Sequence, residues 1–562
     1  MEKKKRSRKT RRRVLRRLIP VAAALILIVI VAAIAFGSGL LEQYAYSTKQ
    51  ADLYEYFGLT SDTEAAIMLD NEYIDEKARV EDGKYYLPMD LVEEYFFDDF
   101  YYDEKNDCLL YTYATGTDVS KDGDGNFLKR GEQVYLNVDY VKQFAPMEVK
   151  LYEDPAHMEL KYSWDSVQLA DIKKNTKARI LGGVKSDILT SLSAGDTVEI
   201  LNPMETWCQV KTPDGYLGYV ENKYLDNYRE EQQTAPVCEK SNDITHTLRD
   251  HKICMGWHQV MSAAAALDGL DQVTANAKGM NVISPTWFSL SDNTGNISDI
   301  SSAEYVTRAH AKNLEVWALV DNFNDSISTT EVLTDTDKRQ TLINNLVQAT
   351  LSVGADGINV DFEELPDSCG EAFAQFIREL SIPCRSNSLV LSVDNYVPRG
   401  YTAHYDRKTQ GEYADYVIIM GYDEHYAGSA ESGSVASFSF VQDGIVKTLE
   451  DVPANQVING IPFYTRIWYE GSELTSEAVG MQTAKDFVAA HDIITSWDDE
   501  CAQNYGETQV DGKTTKIWLE DVESISAKLN LMDANNIAGV ACWKLGMETD
   551  DVWDVISSYV SD

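Results

Sequence analysis

Apolar and polar positions alternate most sharply between Asp356 and Glu363, where Ile358, Val360 and Phe362 interleave with Asn359, Asp361 and Glu363. Side chains two apart on a strand share a face. The apolar set therefore packs, while an amide and two carboxylates line up on the opposite side. The run from Leu351 to Ala355 leads into this octapeptide and predicts a buried strand. Carboxylates buried without partners are costly, so a stacked set of them marks a site. Spacing alone leaves a second reading open, a half-exposed edge strand with an acidic solvent face.

Comparable apolar runs recur at 252–257, 282–286, 315–320, 389–393, 416–420, 457–461 and 539–543, which with 357–362 makes eight. Helical patterns at 337–353 and 370–380 fall between them. This alternation over 245–562 predicts an α/β fold, a (β/α)8 TIM barrel, whose active residues sit at the C-terminal ends of the strands. Residues 172–226 change to short strands separated by turns, including Pro213-Asp214-Gly215, and predict a small closed all-β barrel. Trp207, Tyr216 and Tyr219 could give it an aromatic binding surface; a passive spacer is the alternative. Residues 227–243 read as a polar linker. Residues 51–164, rich in Tyr, Phe and acids, predict an α+β module. Within it, Tyr86 to Val92 is echoed by Tyr135 to Val141, each a strand followed by an Asp placed to cap a short helix. Between the echoes, Phe100 to Asp103 and Cys108 to Tyr111 predict a hairpin. Asp122-Gly123-Asp124-Gly125 predicts a turn, since a calcium loop would need a terminal Glu in register.

Charge separates the first residues from the rest. Residues 1–17 hold eleven Lys/Arg and one Glu, a net of +10, so the remainder carries −50 of the total −40. So acidic a body excludes nucleic acid as a partner. Leu18 to Phe36 is uncharged, and as a helix its nineteen residues would span about 28 Å, close to the hydrocarbon thickness. This predicts a transmembrane signal-anchor with residues 1–17 cytoplasmic and the rest outside, at the cell wall. A signal peptide cleaved after Ala35 is the rival. The eight cysteines contain no Cys-x-x-Cys pair and the eight histidines no metal-ligand spacing. No metal or cofactor is expected.

The motif Asp-Gly-Ile-Asn-Val-Asp-Phe-Glu at 356–363 resembles the fourth-strand signature of glycoside hydrolase family 18, the chitinase-like enzymes, with Asp356 and Gly357 opening it. Met420-Gly421-Tyr422-Asp423 matches the family's sixth-strand signature, and Trp543 its eighth-strand tryptophan. The resemblance implies retaining hydrolysis in which the substrate's own acetamido group is the nucleophile. It implies that Glu363 is the general acid, that Asp361 orients the acetamido N–H, and that Tyr422 holds its carbonyl. Asn359, Asp423, Met420 and Trp543 would bind substrate, with Tyr464, Trp287 and Trp468 lining the cleft. Many relatives carry Asp at the position of Asn359, which can still hold Asp361 by a hydrogen bond. Residues 172–226 resemble bacterial SH3-like domains that contact the cell wall, and 51–164 resembles stalk modules named after copper amine oxidases, with no copper chemistry implied. Together these imply a membrane-anchored hydrolase of a β-linked N-acetylated amino-sugar polymer, peptidoglycan first. Chitin or N-glycan hydrolysis and non-catalytic wall binding are the alternatives.

Overall fold

The computed structural model describes residues 20–34, 37, 45–238, 240 and 243–561. They fall into two compact units, Met1–Phe96 with Gly125–Lys240, and Phe97–Asp124 with Ser241–Asp562.

The second unit contains a closed barrel of eight parallel strands. They are β1 (Ile253–His258), β2 (Val282–Leu290), β3 (Glu315–Asp321), β4 (Gly357–Asp361), β5 (Val390–Tyr396), β6 (Tyr416–Met420), β7 (Val457–Pro462) and β8 (Gly539–Trp543). Each pairs with the next, except that β7 meets β8 across a long insertion, and β8 pairs with β1 to close the ring. All eight expected strands are present.

The two-residue period explains how the barrel fills. Trp257, Trp317, Leu319, Ile418 and Ile458 form a lumen cluster. Ile358, Val360 and Phe362 belong to the layer between strands and helices, where Phe362 stacks on Phe376 at 5.6 Å between ring centroids. The polar face of β4 therefore points into the lumen. Gly357 is needed at its base, because a Cβ there would lie 2.7 Å from the Val390 carbonyl oxygen.

The helix after β3, Thr336–Val353, starts at Asp335, whose carboxylate accepts from the Asp337 and Lys338 amides, and ends at Gly354 with φ +73°. The next helix, Gly370–Ser386, outruns the expected 370–380 and continues through Pro383. Two features of this unit go beyond the sequence reading. Between β7 and β8 lies a five-stranded antiparallel sheet, Tyr464–Glu470 through Lys513–Leu519, with the helix Met481–Ala490. The segment 97–124, grouped above with the module at 51–164, packs with the barrel instead. The expected hairpin forms, with Asp103 opposite Cys108, and is extended by a third strand. The physical reason for its placement is burial of Tyr101, Cys108 and Leu110 in the barrel's own core. The Asp103 carboxylate accepts from the Thr336 amide at 2.7 Å, and the Gln375 amide donates to Thr112 Oγ1 at 3.0 Å. The Tyr413 hydroxyl donates to Asp99 at 2.7 Å.

In the first unit the two echoed strands, Lys84–Pro88 and Gln133–Asn137, pair with each other, and a short helix follows each. Asp90 and Asp139 sit in the first helical turns rather than at the caps; Asn137 caps the second helix. The all-β part is a seven-stranded sheet spanning Val167–Ile172 to Leu225–Glu231. Tyr216 is not part of an exposed aromatic surface. It is buried, stacked on Phe57 at 5.6 Å. None of the eight cysteines forms a disulfide.

Residues 20–34 are helical, with exposed apolar side chains. Among the described residues no helix is long and apolar enough to cross a membrane. The expected span 18–36 lies partly outside the described residues, and the basic segment 1–17 wholly so.

Candidate active site

A cavity of about 580 Å³ opens at the C-terminal end of the barrel strands. Strand β4 and the residues just beyond it supply Asp361 and Glu363; β6 and the residues just beyond it supply Met420, Tyr422 and Asp423; β8 supplies Trp543. Five carboxylates line this cavity, Asp321, Asp361, Glu363, Asp394 and Asp423, and no Lys, Arg or His is among its described lining residues.

Glu363 sits just beyond the end of β4, half-buried. Asn322 fixes its backbone from both sides, its side-chain oxygen accepting from the Glu363 amide at 2.8 Å and its NH2 donating to the Glu363 carbonyl at 2.9 Å. The Tyr396 hydroxyl donates to Glu363 Oε2 at 2.6 Å. Burial raises the Glu363 pKa above the ordinary range, with Asp423 and Glu364 adding to it, while the Tyr396 hydrogen bond pulls the other way. Glu364 turns out of the strand with φ +53° and is exposed.

Asp361 is buried, and its Oδ1 has no hydrogen-bond partner. Desolvation holds its pKa well above the ordinary carboxylate range, and the charges of Asp394, Glu363 and Asp321 push in the same direction. Asn359 is fully buried below it but does not hold Asp361, contrary to expectation. The Asn359 Oδ1 accepts from the Trp257 indole at 3.0 Å and from Ser284 Oγ at 3.1 Å. Its NH2 donates to Ser392 Oγ at 3.1 Å and to Asp394 Oδ1 at 2.9 Å. All four of these partners lie on other strands, so the amide is spent on bracing the lumen across three of them.

Around the carboxylates, Tyr422 is flanked edge-on by Trp257 and Tyr464, each 6.4 Å away between ring centroids. Its phenol is held well above its ordinary pKa by burial and the nearby carboxylates, so it stays a hydrogen-bond donor. Trp543 stands edge-on to Trp257 at 5.9 Å and remains partly open to the cavity. Gly460 on β7 makes room for this cluster, since a Cβ there would come within 3.0 Å of the Tyr422 ring.

The remaining expected residues divide. Trp287 lines the cavity from β2, although only 2% of it is exposed. Tyr464 acts one step away, its hydroxyl donating to Asp423 Oδ1 at 2.5 Å. Trp468 does not line the cleft; it is buried in the inserted sheet, its indole donating to the Gly433 carbonyl at 2.8 Å. Asp356 lies at the opposite end of β4, accepting from the Val316 amide and bonded to His310, both at 2.8 Å.

The lining residues that the sequence reading did not single out as site residues include Trp257, Asp321, Asp394 and Tyr396. A signal for the last two exists. Ser392, Asp394 and Tyr396 alternate with Val393 and Asn395, repeating on β5 the polar face of β4.

Residues 257–548, just over half of the chain, match the glycosyl hydrolases family 18, and residues 175–226 match the bacterial SH3 domain. The Bacillus subtilis glycosylase YvbX is 27% identical over 293 residues, covering 49% of this chain and 84% of its own length. A cortical fragment-lytic enzyme of Bacillus subtilis is 29% identical over 246 residues, covering 42% of this chain and 56% of its own. The chain thus spans little more than half of that relative. The crystal structure of the Bacillus cereus spore cortex-lytic enzyme SleL superposes with a TM-score of 0.51 at 18% identity, covering 66% of this chain and 91% of that one, which shows a shared fold. On the family match across the barrel, this chain belongs to the glycosyl hydrolases family 18 and is a glycosidase.

Proposed function

We propose that the chain hydrolyses a β-linked N-acetylated amino-sugar polymer of the bacterial cell wall, with retention, through the substrate's own acetamido group. The observation that carries this reading is the unpartnered Oδ1 of buried Asp361 beside Glu363 in one cavity. Such an atom needs a donor from outside, and an acetamido N–H supplies one. Glu363, whose burial favours the protonated form, gives its proton to the departing glycosidic oxygen. The acetamido carbonyl oxygen then closes on the anomeric carbon, forming an oxazolinium ion. Tyr422 holds that carbonyl in line, Asp361 stabilises the charge developing on the nitrogen, and Glu363 deprotonates the incoming water. Asp423 receives a sugar hydroxyl, and Trp543 stacks under the ring.

Two observations favour the cell wall over chitin or N-glycans. Cortical fragment-lytic enzymes are among the relatives, and a bacterial SH3 domain precedes the barrel. The cationic segment before Leu18–Phe36 favours an extracytoplasmic placement, with the SH3 domain and barrel facing the wall. The five carboxylates and the absence of a cation among the described lining residues disfavour a sugar bearing its own carboxylate. The cut should follow N-acetylglucosamine rather than N-acetylmuramic acid.

Incubating the full-length chain with peptidoglycan and with chitin oligosaccharides, and reading products by mass spectrometry, tests this. Peptidoglycan fragments with N-acetylglucosamine at the new reducing end are expected. Muramic reducing ends would reverse the linkage assignment, and release from chitin alone would move the substrate to the alternative.

Tyr396 offers a test of the acid. Tyr396→Phe removes a hydrogen bond that favours the ionised form of Glu363, so the pKa of the acid should rise further. The alkaline limb of the kcat/KM profile should move to higher pH; a shift to lower pH would remove Glu363 as the acid on that limb.

A further inference from the structure

We propose that Asp394 on β5 is the positioning partner of Asp361, the two carboxyl groups sharing one proton across the β4–β5 seam. Asn359 is opposite Ser392 and Val360 opposite Val393, so the next step along each strand brings Asp361 beside Asp394. Both residues follow inward-facing positions and both line the cavity. Both are nearly fully buried, at 6% and 2% exposure. Two carboxylates at adjacent inward positions in a dry lumen cannot both ionise cheaply, and no cation is among the described lining residues to offset them. Asp394 Oδ1 is tied by the Asn359 amide, whereas Asp361 Oδ1 has no partner. The tethered group is thus built to stay still and the free one to meet substrate.

The other titratable groups at the site reinforce the pairing. Asp321 is opposite Asp361 on β3, and Glu363 and Asp423 face the cavity from beyond the ends of β4 and β6. Tyr396 and Tyr422 stay protonated, through burial first and then the neighbouring carboxylates. The charged residues among the described lining are all acidic, and the pKa of both Asp361 and Asp394 is raised, mainly by burial.

In the empty site the pair holds one proton and one negative charge. When an acetamido N–H arrives at Asp361, the proton settles on Asp394 and Asp361 accepts the N–H as a carboxylate. No proton enters or leaves. Asn359 thereby serves the site through Asp394. The catalytic consequence rests on the hydrolase reading; the shared proton does not.

Infrared difference spectra of the full chain, labelled with ¹³C at its aspartate carboxyls, test the proton directly. In a Glu363→Gln background at neutral pH, a protonated aspartate band is expected. Asp394→Asn and Asp361→Asn should each lower that band by the same amount, since either change leaves the remaining carboxyl free to ionise. An unchanged band in either variant overturns the proposal. Asp394→Asn keeps an acceptor for Asn359, so a purely structural role would be rescued by it. The proposal expects kcat to fall about 10²-fold in Asp394→Asn with KM little changed. Wild-type kcat in that variant overturns the positioning role. If wild type cuts no glycan but the band behaves as expected, the hydrolase reading fails and the pair stands.

Discussion

Glu363→Gln should lower turnover about 10²–10⁴-fold while leaving the barrel folded and, near neutral pH, more stable than wild type. The loss follows from position: Glu363 is the cavity carboxyl clamped on both backbone groups by Asn322 and on its side chain by Tyr396. Glutamine keeps the shape and an acceptor for Tyr396 but has no proton to transfer. The stability gain follows from the sign of the pKa shift. Burial raises the folded-state pKa of Glu363, so between the unfolded and folded values the folded chain holds a proton that the unfolded chain has released. Over that interval stability falls as pH rises, and it stays lower above the folded value. Below the unfolded pKa, about 4.3, both states are protonated and the penalty is absent. Thermal melts of both proteins should therefore coincide in acid and separate towards neutral pH, with the variant higher. A variant that retains turnover would remove Glu363 from the reaction, and one that melts lower near neutral pH would contradict the buried-acid account.

The second large effect is structural. Arg339→Ala should destabilise the barrel unit by about 3–5 kcal/mol. Arg339 is fully buried between two barrel helices, donating from Nε to Glu379 Oε2 at 2.7 Å and from Nη2 to Oε1 at 3.1 Å. It also donates from Nη1 to the Leu333 carbonyl at 2.6 Å, and its guanidinium lies 5.0 Å from the Tyr101 ring centroid. Removing it strands the Glu379 carboxylate with only the Gln340 and Gln375 amides. Because the cost is mainly that of an orphaned buried charge, Arg339→Met combined with Glu379→Leu should cost less than the two single changes added together. A denaturation double-mutant cycle measures this coupling, and additive costs would refute it.

How much of this was legible beforehand depends on how local the signal is. The eight strands and the β4 motif are written in stretches of five to eight residues, and alternation exposes them. Glu363, Asp361, Tyr422, Asp423 and Trp543 could be brought to one cavity because strand ends in a parallel barrel share a rim. Asp321 and Asp394 lie on that rim as well, at the ends of β3 and β5, but their relation to Asp361 was not legible. Their partner is Asp361, and that neighbourhood exists only once β3, β4 and β5 are in register. The role of Asn359 was misassigned for the same reason: the sequence shows Asp361 two residues away, while the amide reaches across the seam to Asp394. The inserted sheet between β7 and β8 escaped because strands such as Leu474–Gly480 and Gln503–Val510 are largely polar and lack the apolar runs that mark the barrel strands. The placement of 97–124 rests on contacts such as Asp103 with Thr336, more than two hundred positions apart, to which no local pattern points.

That placement makes the chain pass between the two units three times, near 96, 124 and 240. The expected linker at 227–243 begins only after the strand Leu225–Glu231, and a single protease cut beyond that strand would separate nothing, since the units stay joined through both ends of 97–124. It also orders synthesis. The first unit can complete its sheet with 97–124 looped out, but that segment cannot dock until residues 336–386 have emerged. At about 5–20 residues per second the wait is roughly 13–50 s. For that interval Tyr101, Cys108 and Leu110 have no core to enter, so the barrel's earliest-made part waits for partners made long after it.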